Sequence, residues 1–132
     1  MNNKNLVGKE GFAETIVTNI NCADYVKSGS LQVFSTPMMI ALIEEASVNA
    51  LAPYLNDEET TVGTYINVYH LSATPLNIKV TAKAVITSIN EKEIVFEISA
   101  SDEKGIIGKG EHKRFLVNSK RFLEKTNSKF NN

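Results

Sequence analysis

The sequence predicts an α+β domain in which an antiparallel five-stranded sheet wraps around one long buried helix. Three observations lead to this prediction. The 132-residue chain contains a single strongly apolar helical segment. Five segments with the alternation typical of strands surround that helix, and most of them are joined by short connections. There is no regular succession of strands and helices, no glycine-rich phosphate loop and no repeat, so a parallel α/β fold is not expected.

The first predicted strand runs from Gly11 to Ile20. Two sets of residues alternate along it: Phe12, Glu14, Ile16, Thr18 and Ile20 on one face, and Ala13, Thr15, Val17 and Asn19 on the other. A loop from Asn21 to Phe34 follows. The helix lies in "FSTPMMIALIEEASVNALAPYL". Thr36 followed by Pro37 predicts its start, because a threonine hydroxyl accepts an orphan amide at the N-cap and proline loses nothing at N1.

The interior of this helix is apolar nearly all round, which is typical of a buried helix rather than a surface helix. Pro53 and Asn56 end it. The remaining strands are separated by turn sequences such as "NEKE" and "DEKG". These four strands are predicted at Thr61 to Leu71, Ile78 to Ile89, Ile94 to Ser101 and Ile106 to Asn118.

The composition indicates one globular domain over residues 1–132, with polar ends at 1–8 and 124–132 that have the composition of disordered segments. Hydrophobic residues make up 42% and charged residues 22%, so the chain as a whole is not disordered. The net charge of −1 and the dispersed basic residues give no electrostatic footprint for nucleic acid. Only Lys120, Arg121 and Lys125 form a mildly basic tail, which we interpret as a solvated terminal segment.

The chain shows no apolar signal core and no apolar run long enough for a membrane span. Its lone cysteine, Cys22, cannot form an internal disulfide, so we expect a reducing, cytoplasmic location. With no base nearby in the sequence, Cys22 is interpreted as a plain thiol rather than a nucleophile.

A histidine stands near the end of an apolar strand face in "TYINVYHLSATP", Thr64 to Pro75. Strict alternation places His70 on one face with Val62, Thr64, Ile66 and Val68, and places Gly63 on the other face. An imidazole in that position is either a satisfied core histidine or a catalytic group in a dry pocket. The strand alone leaves both alternatives open.

Two glutamates, Glu44 and Glu45, interrupt the apolar helix. Both can point to solvent or to a subunit boundary. The alternative is that the capping threonine, one of the two helix carboxylates and the His70 imidazole converge and supply a hydroxyl, a base and a proton carrier.

Three segments, "STPMMIALIEEAS", "VGTYINVYHLSATP" and "GKGEHKRFLV", resemble the fluoroacetyl-CoA thioesterase-like family of hotdog-fold thioesterases. The resemblance runs from about Phe34 to Phe122. It implies a hotdog homodimer that hydrolyses a small acyl-CoA thioester to the free acid and CoA. It also implies that the catalytic residues are Thr36, Glu44 and His70.

The same resemblance places the glycine beside the acyl pocket at Gly63 and the arginine of the last strand at Arg114, both as substrate-binding residues. Read without it, Gly63 is either a bulge or a site of close approach to substrate, and Arg114 is either a surface charge or a phosphate ligand. The family member specialised for fluoroacetyl-CoA has a longer aromatic lid before its helix. Here the loop offers Tyr25 and Phe34, of which Phe34 is the expected substrate contact, so we expect a general short-chain acyl group.

In the expected mechanism, Glu44 and His70 activate the Thr36 hydroxyl or a water, and amides near the helix start or at Gly63 stabilise the oxyanion. No cofactor beyond the CoA of the substrate is implied. No metal is expected, because the chain has two histidines and no metal-ligand spacing. Two alternatives remain: a non-catalytic acyl-CoA-binding module, and an enoyl-CoA hydratase or dehydratase, although "NVYHL" lacks the aspartate that such enzymes place before the histidine.

Overall fold

A five-stranded antiparallel sheet curls around one long helix, as predicted. The computed structural model describes residue 1 and residues 5–131, so the expectations for residues 2–4 and 132 lie outside the described part. The strands are β1 (Glu10–Ile16), β2 (Glu59–His70), β3 (Lys79–Asn90), β4 (Glu93–Asp102) and β5 (Gly105–Asn118). Their order in the sheet is β1-β3-β4-β5-β2, so β1 and β2 form the edges.

Three α-helices accompany the sheet: α1 (Ala23–Val26), α2 (Thr36–Leu51) and α3 (Ser119–Asn127), with short 3₁₀ turns at Ala52–Tyr54 and Ser128–Phe130. Helix α2 packs mainly on β1 and β3. The approach is close because Gly11 of β1 has no side chain, and a Cβ there would overlap backbone atoms of Ala46 and Ala50. No helix in the described part of the chain is long and apolar enough to span a membrane.

The first strand ends at Ile16, earlier than the predicted Ile20. The cause is the side chain of Asn21, whose Oδ1 accepts from the Thr18 N–H at 2.8 Å and whose Nδ2 donates to the Ile16 carbonyl at 3.1 Å. These side-chain hydrogen bonds stabilise a turn of the backbone, which competes with continued pairing in the sheet and ends the strand. The other strands begin and end within two residues of their predicted bounds.

The N-cap of α2 is Ser35, so the prediction that Thr36 caps the helix is wrong. Ser35 has an extended backbone, and its Oγ accepts a hydrogen bond from the Met38 N–H at 3.3 Å. Thr36 is already helical, and Pro37 occupies the second helical position, which also needs no N–H. The hydroxyl of Thr36 is therefore free for another partner.

Helix α2 buries one face rather than its whole circumference. In this single chain Met38 is 36% exposed and Val48 is 43% exposed. The face that packs on the sheet consists of Met39, Leu42, Ile43, Ala46, Ser47, Ala50 and Leu51. Met38, Ala41, Glu45 and Val48 thus form an uncovered strip of α2 that is apolar apart from Glu45.

A β-bulge interrupts β2 between Gly63 and Tyr65 and changes which residues share a face. On one side of it Gly63 pairs with Arg114, and on the other Ile66 pairs with His112. Paired residues share a face of the sheet, so Gly63 and Ile66 lie on the same face as the buried Arg114 and His112. The prediction from strict alternation that Gly63 lies on the face opposite His70 is therefore wrong, because the extra bulge residue resets the alternation.

The predicted solvated tail forms α3, in which every residue is exposed. Asn118 caps it by accepting from the Arg121 N–H at 3.0 Å. Of the two polar ends, residues 5–8 form turns, and residues 124–130 continue α3 and its 3₁₀ turn.

Candidate active site

The start of α2 and the end of β2 bring Thr36 and His70 together. Thr36 Oγ1 lies 2.7 Å from His70 Nδ1, within hydrogen-bond distance. The other ring nitrogen, Nε2, is buried and has no hydrogen-bond partner among the described residues. Burial lowers the pKa of His70 below its usual value of 6.5. The ring is consequently neutral at neutral pH and able to accept a proton.

A cavity of about 290 Å³ adjoins this pair. Thr36 and His70 lie in its wall, and Phe34, itself 1% exposed, borders it from the core. Most of the other lining side chains are small: Ala23, Ser28, Val33, Ser35, Leu71, Ser72 and Ala73. This chamber is therefore of modest size and open to solvent, with a hydroxyl and an imidazole at its edge.

Two turns further along α2, Glu44 belongs to a second cluster. Its Oε2 lies 3.4 Å from Nη1 of Arg114, and its side chain is 42% exposed. Arg114 is buried, with Nε donating to Thr61 Oγ1 at 2.9 Å and Nη2 donating to the Thr61 carbonyl at 3.1 Å. Nη1 also lies 3.1 Å from Nε2 of His112. Arg114 is thus the hub of this cluster rather than a surface charge.

Gly63 provides the space that the Glu44 carboxylate occupies. A Cβ at Gly63 would lie 2.7 Å from Glu44 Oε2 and 3.3 Å from Arg114 Nη1. Any side chain at this position would displace the carboxylate, the flexible one of these neighbours. The bulge that was the alternative interpretation of Gly63 is also present, and Gly63 lies at its edge.

Within one chain the two clusters stay apart. Thr36 and Glu44 are separated by two turns of α2, about 12 Å along its axis. Gly63 and His70 are separated by about 20 Å along β2. The structure therefore brings Thr36 to His70, and Glu44 to Gly63 and Arg114, but shows no hydrogen bond between the clusters among the described residues.

Sequence analysis missed His112 and Thr61 as parts of the site. From the sequence, His112 is recognised only as one of the two histidines available as metal ligands. Over Met1 and residues 5–131, no group of three or more His, Cys, Asp or Glu could hold a metal ion. The signal for His112 was its spacing from Arg114, because residues two apart share one face of a strand. Cys22 is buried and free, and burial raises the pKa of its thiol.

Solved structures share this architecture. A hot-dog-like protein from Thermanaerovibrio acidaminovorans superimposes with a TM-score of 0.89 at 20% identity, covering 100% of this chain and 99% of the other. A structure of the fluoroacetyl-CoA thioesterase FlK superimposes with a TM-score of 0.88 at 31% identity, covering 93% of this chain and 96% of that chain. Fold and site together define a hotdog-fold thioesterase.

The family follows from sequence. A family model described as fluoroacetyl-CoA-specific thioesterase matches residues 17–120. The fluoroacetyl-CoA thioesterase of Streptantibioticus cattleyicolor is 38% identical over 98 residues, which are 74% of this chain and 70% of that protein. The chain belongs to the fluoroacetyl-CoA-specific thioesterase family.

Proposed function

We propose that this protein hydrolyses a small acyl-CoA thioester to the free acid and CoA. The observation that carries the proposal is the 2.7 Å contact between Thr36 and a neutral His70 at the wall of a small chamber. A hydroxyl paired with an imidazole is the arrangement that nucleophilic or base-assisted acyl transfer requires. Family membership and the similarity to a fluoroacetyl-CoA thioesterase support the same reaction.

The chemistry follows from the atoms in this pair. His70 Nδ1 takes a proton from the Thr36 hydroxyl, or from a water in its place, as the oxygen attacks the thioester carbonyl. The C–S bond then breaks, and the imidazolium returns the proton to the CoA thiolate. If Thr36 attacks, water hydrolyses the resulting acyl-threonine ester in a second step with the same base.

The first turn of α2 offers one amide for the oxyanion. Ser35 occupies two of the N–H groups of this turn, through its Oγ to Met38 and its carbonyl to Met39, and Pro37 has none. The N–H of Thr36 remains for the developing negative charge, which the positive end of the helix dipole also stabilises.

The proposed role of Glu44 depends on a homodimer. When the Thr36 hydroxyl donates to Nδ1, the neutral ring of His70 carries its hydrogen on Nε2, which bonds to no side chain among the described residues, although the Ser72 backbone acts to raise the pKa of the ring. A carboxylate is a stronger acceptor for this hydrogen. Glu44 of the same chain is held by Arg114 in the other cluster, so we propose that a second copy supplies the carboxylate.

The exposed edge of β2 supports this dimer. Its Tyr65, Ile66 and Tyr69 are exposed, as is the uncovered strip of α2. Antiparallel pairing of two β2 strands about their exposed middle would place His70 of one chain opposite the Gly63 end of the other. Each site would then combine Thr36 and His70 with the partner's Glu44. Arg114 would set the position of that carboxylate, and a further contact with CoA phosphates is the role that guanidinium chemistry favours.

A mixing experiment tests the shared site. His70→Ala and Glu44→Gln homodimers are each expected to be nearly inactive. After joint refolding, half the molecules are heterodimers, and a shared site makes one of their two sites intact, so about a quarter of wild-type activity returns. No recovery, or a monomer by light scattering at micromolar concentration, would contradict the shared site.

A substrate panel tests the reaction itself. Thiol release from acetyl-, propionyl-, fluoroacetyl-, branched and aromatic acyl-CoAs, followed with a chromogenic thiol reagent, should be fastest for the small acyl groups, in line with the similarity to a fluoroacetyl-CoA thioesterase. Calorimetric binding of acyl-CoA without thiol release from any member of the panel would overturn the hydrolase assignment. We propose a cytoplasmic location, which the buried free thiol of Cys22 supports.

A further inference from the structure

His112 belongs to the Glu44 cluster and, among the described residues, makes no hydrogen bond to the carboxylate. Its side chain is 1% exposed, on the inner face of β5, and its ring stacks on Phe96 with centroids 6.0 Å apart. Each ring nitrogen has one partner. Nδ1 lies 2.8 Å from the carbonyl oxygen of Tyr65, and Nε2 lies 3.1 Å from Nη1 of Arg114.

These two partners fix the protonation state of the ring. A backbone carbonyl only accepts, so Nδ1 must carry the hydrogen and donate it to Tyr65. A guanidinium only donates, so Nε2 must present its lone pair to Arg114. The pair of contacts therefore requires a neutral imidazole in the Nδ1–H tautomer. Burial lowers the pKa of His112, and the charge of Arg114 reinforces that shift, whereas the Tyr65 carbonyl and the charge of Glu44 oppose it without reversing it.

The lone pair of Nε2 decides where Nη1 of Arg114 points. Thr61 holds the other side of the guanidinium through Nε and Nη2. Nη1 is shared between His112 at 3.1 Å and Glu44 at 3.4 Å, and the shorter contact comes from the more deeply buried partner. Because the guanidinium is planar, fixing all three nitrogens fixes the direction from which it meets the carboxylate.

The Nδ1–H contact holds a second part of the same site. Tyr65 is the residue where regular pairing resumes after the bulge in β2, and Gly63 precedes that bulge. The imidazole thus ties the bulged stretch to β5. A Cβ at Gly63 would lie 3.3 Å from Cε1 of His112, so the ring also forms part of the wall beside Glu44.

We propose that His112 is a positioning residue for thioester hydrolysis, which places the Glu44 carboxylate by accepting a hydrogen bond from Arg114. The proposal rests on the proposed function for the role of Glu44, but the tautomer of His112 and its hold on Arg114 do not depend on it.

Two variants separate this role from simple packing. In His112→Gln the amide oxygen can take the place of Nε2 and accept from Arg114, while the donor to Tyr65 is lost. In His112→Asn the amide nitrogen can take the place of Nδ1 and donate to Tyr65, while the acceptor for Arg114 is lost. Both remove the stacked ring, so both lower the melting temperature.

We expect kcat to stay within about threefold of wild type in the Gln variant and to fall at least about tenfold in the Asn variant, with KM little changed in both. In an Arg114→Met background, His112→Asn should have no further effect on kcat, since its route to Glu44 is already absent. Equal losses in the Gln and Asn variants, or a full additional loss in the Arg114→Met background, would show a packing role and overturn the proposal.

Histidine-labelled ¹⁵N NMR tests the same proposal in the wild-type protein, without substrate. The chain has two histidines, so one His70→Ala spectrum assigns both. The result expected for His112 at pH 7 is a protonated Nδ1 and an unprotonated Nε2. An Nε2–H tautomer or an imidazolium would overturn the proposal. This readout remains decisive if the substrate panel shows no thiol release, so the two failures can be told apart.

Discussion

The Ser35 hydroxyl caps α2, whereas the adjacent Thr36 hydroxyl contacts His70 and has the proposed catalytic role. A pair of substitutions should separate these two roles. Ser35→Ala removes the acceptor for the Met38 N–H, a change that costs about 1 kcal/mol for a typical N-cap. At about 2.1 cal/mol/K of unfolding entropy per residue, 132 residues give about 0.28 kcal/mol/K. The melting temperature should therefore fall by about 4 °C.

The effects on turnover should be the reverse of those on the melting temperature: small for Ser35→Ala and large for Thr36→Val. Ser35→Ala should keep kcat within a few fold of wild type, since its hydroxyl makes no contact with His70. Thr36→Val keeps the branched shape but removes the hydroxyl that meets His70 Nδ1, so kcat should fall by roughly 10²-fold or more. Its melting temperature should change by no more than about 2 °C, because Thr36 is exposed and caps nothing.

The assay is thermal melting and thiol release measured on the same samples at one protein concentration, because the melting temperature of the proposed homodimer would depend on concentration. The reasoning is refuted if Thr36→Val loses about 4 °C while retaining its turnover and Ser35→Ala shows the reverse. That outcome would return the cap to Thr36.

Three further predictions follow from the second cluster and from the histidines. Gly63→Ala should push the Glu44 carboxylate aside and lower kcat at least about tenfold, with a melting temperature no higher than that of the wild type because the carboxylate is displaced from the buried guanidinium of Arg114; a normal kcat would argue against the cluster. The pKa values of His70 and His112 lie below 6.5 in the folded protein, so below about pH 6.5 the unfolded chain binds more protons than the folded protein does. The free energy of unfolding should therefore decrease as the pH falls from 7.5 to 5. A free energy of unfolding that stays constant over this range in urea titrations would contradict the buried neutral rings. Arg114→Ala should lower both kcat and the melting temperature, and unchanged kcat, KM and dimer stability would remove its proposed role.

The fold could be predicted because its signals are local. The alternation of the strands, the apolar run of α2 and the turn sequences each lie within a few residues of the element that they define. The cap could not be decided in this way. Ser35 and Thr36 are both good N-cap residues, and the hydroxyl of Thr36 is directed to His70, which lies 34 residues further along the chain.

The second cluster escaped sequence analysis for a related reason. The face on which Gly63 lies depends on a bulge, and that bulge is stabilised by His112, 47 residues away from Tyr65. Alternation assumes a regular strand, so a single extra residue reverses its prediction. The spacing of His112 and Arg114 is visible in the sequence, but the partners that orient their side chains, Tyr65 and Thr61 of β2, depend on the strand register that only the folded sheet sets.

The central claim is that His70 is the proton carrier of a thioester hydrolase, and kcat for thiol release from a short acyl-CoA by His70→Ala tests it most directly. The fraction of folded protein is determined by melting on the same sample, with Glu44→Gln as the companion that keeps its shape and loses its charge. We predict that His70→Ala lowers kcat by roughly 10²- to 10⁴-fold while the protein stays folded, the range typical of a lost general acid or base. Near-normal turnover in both folded variants would contradict the mechanism.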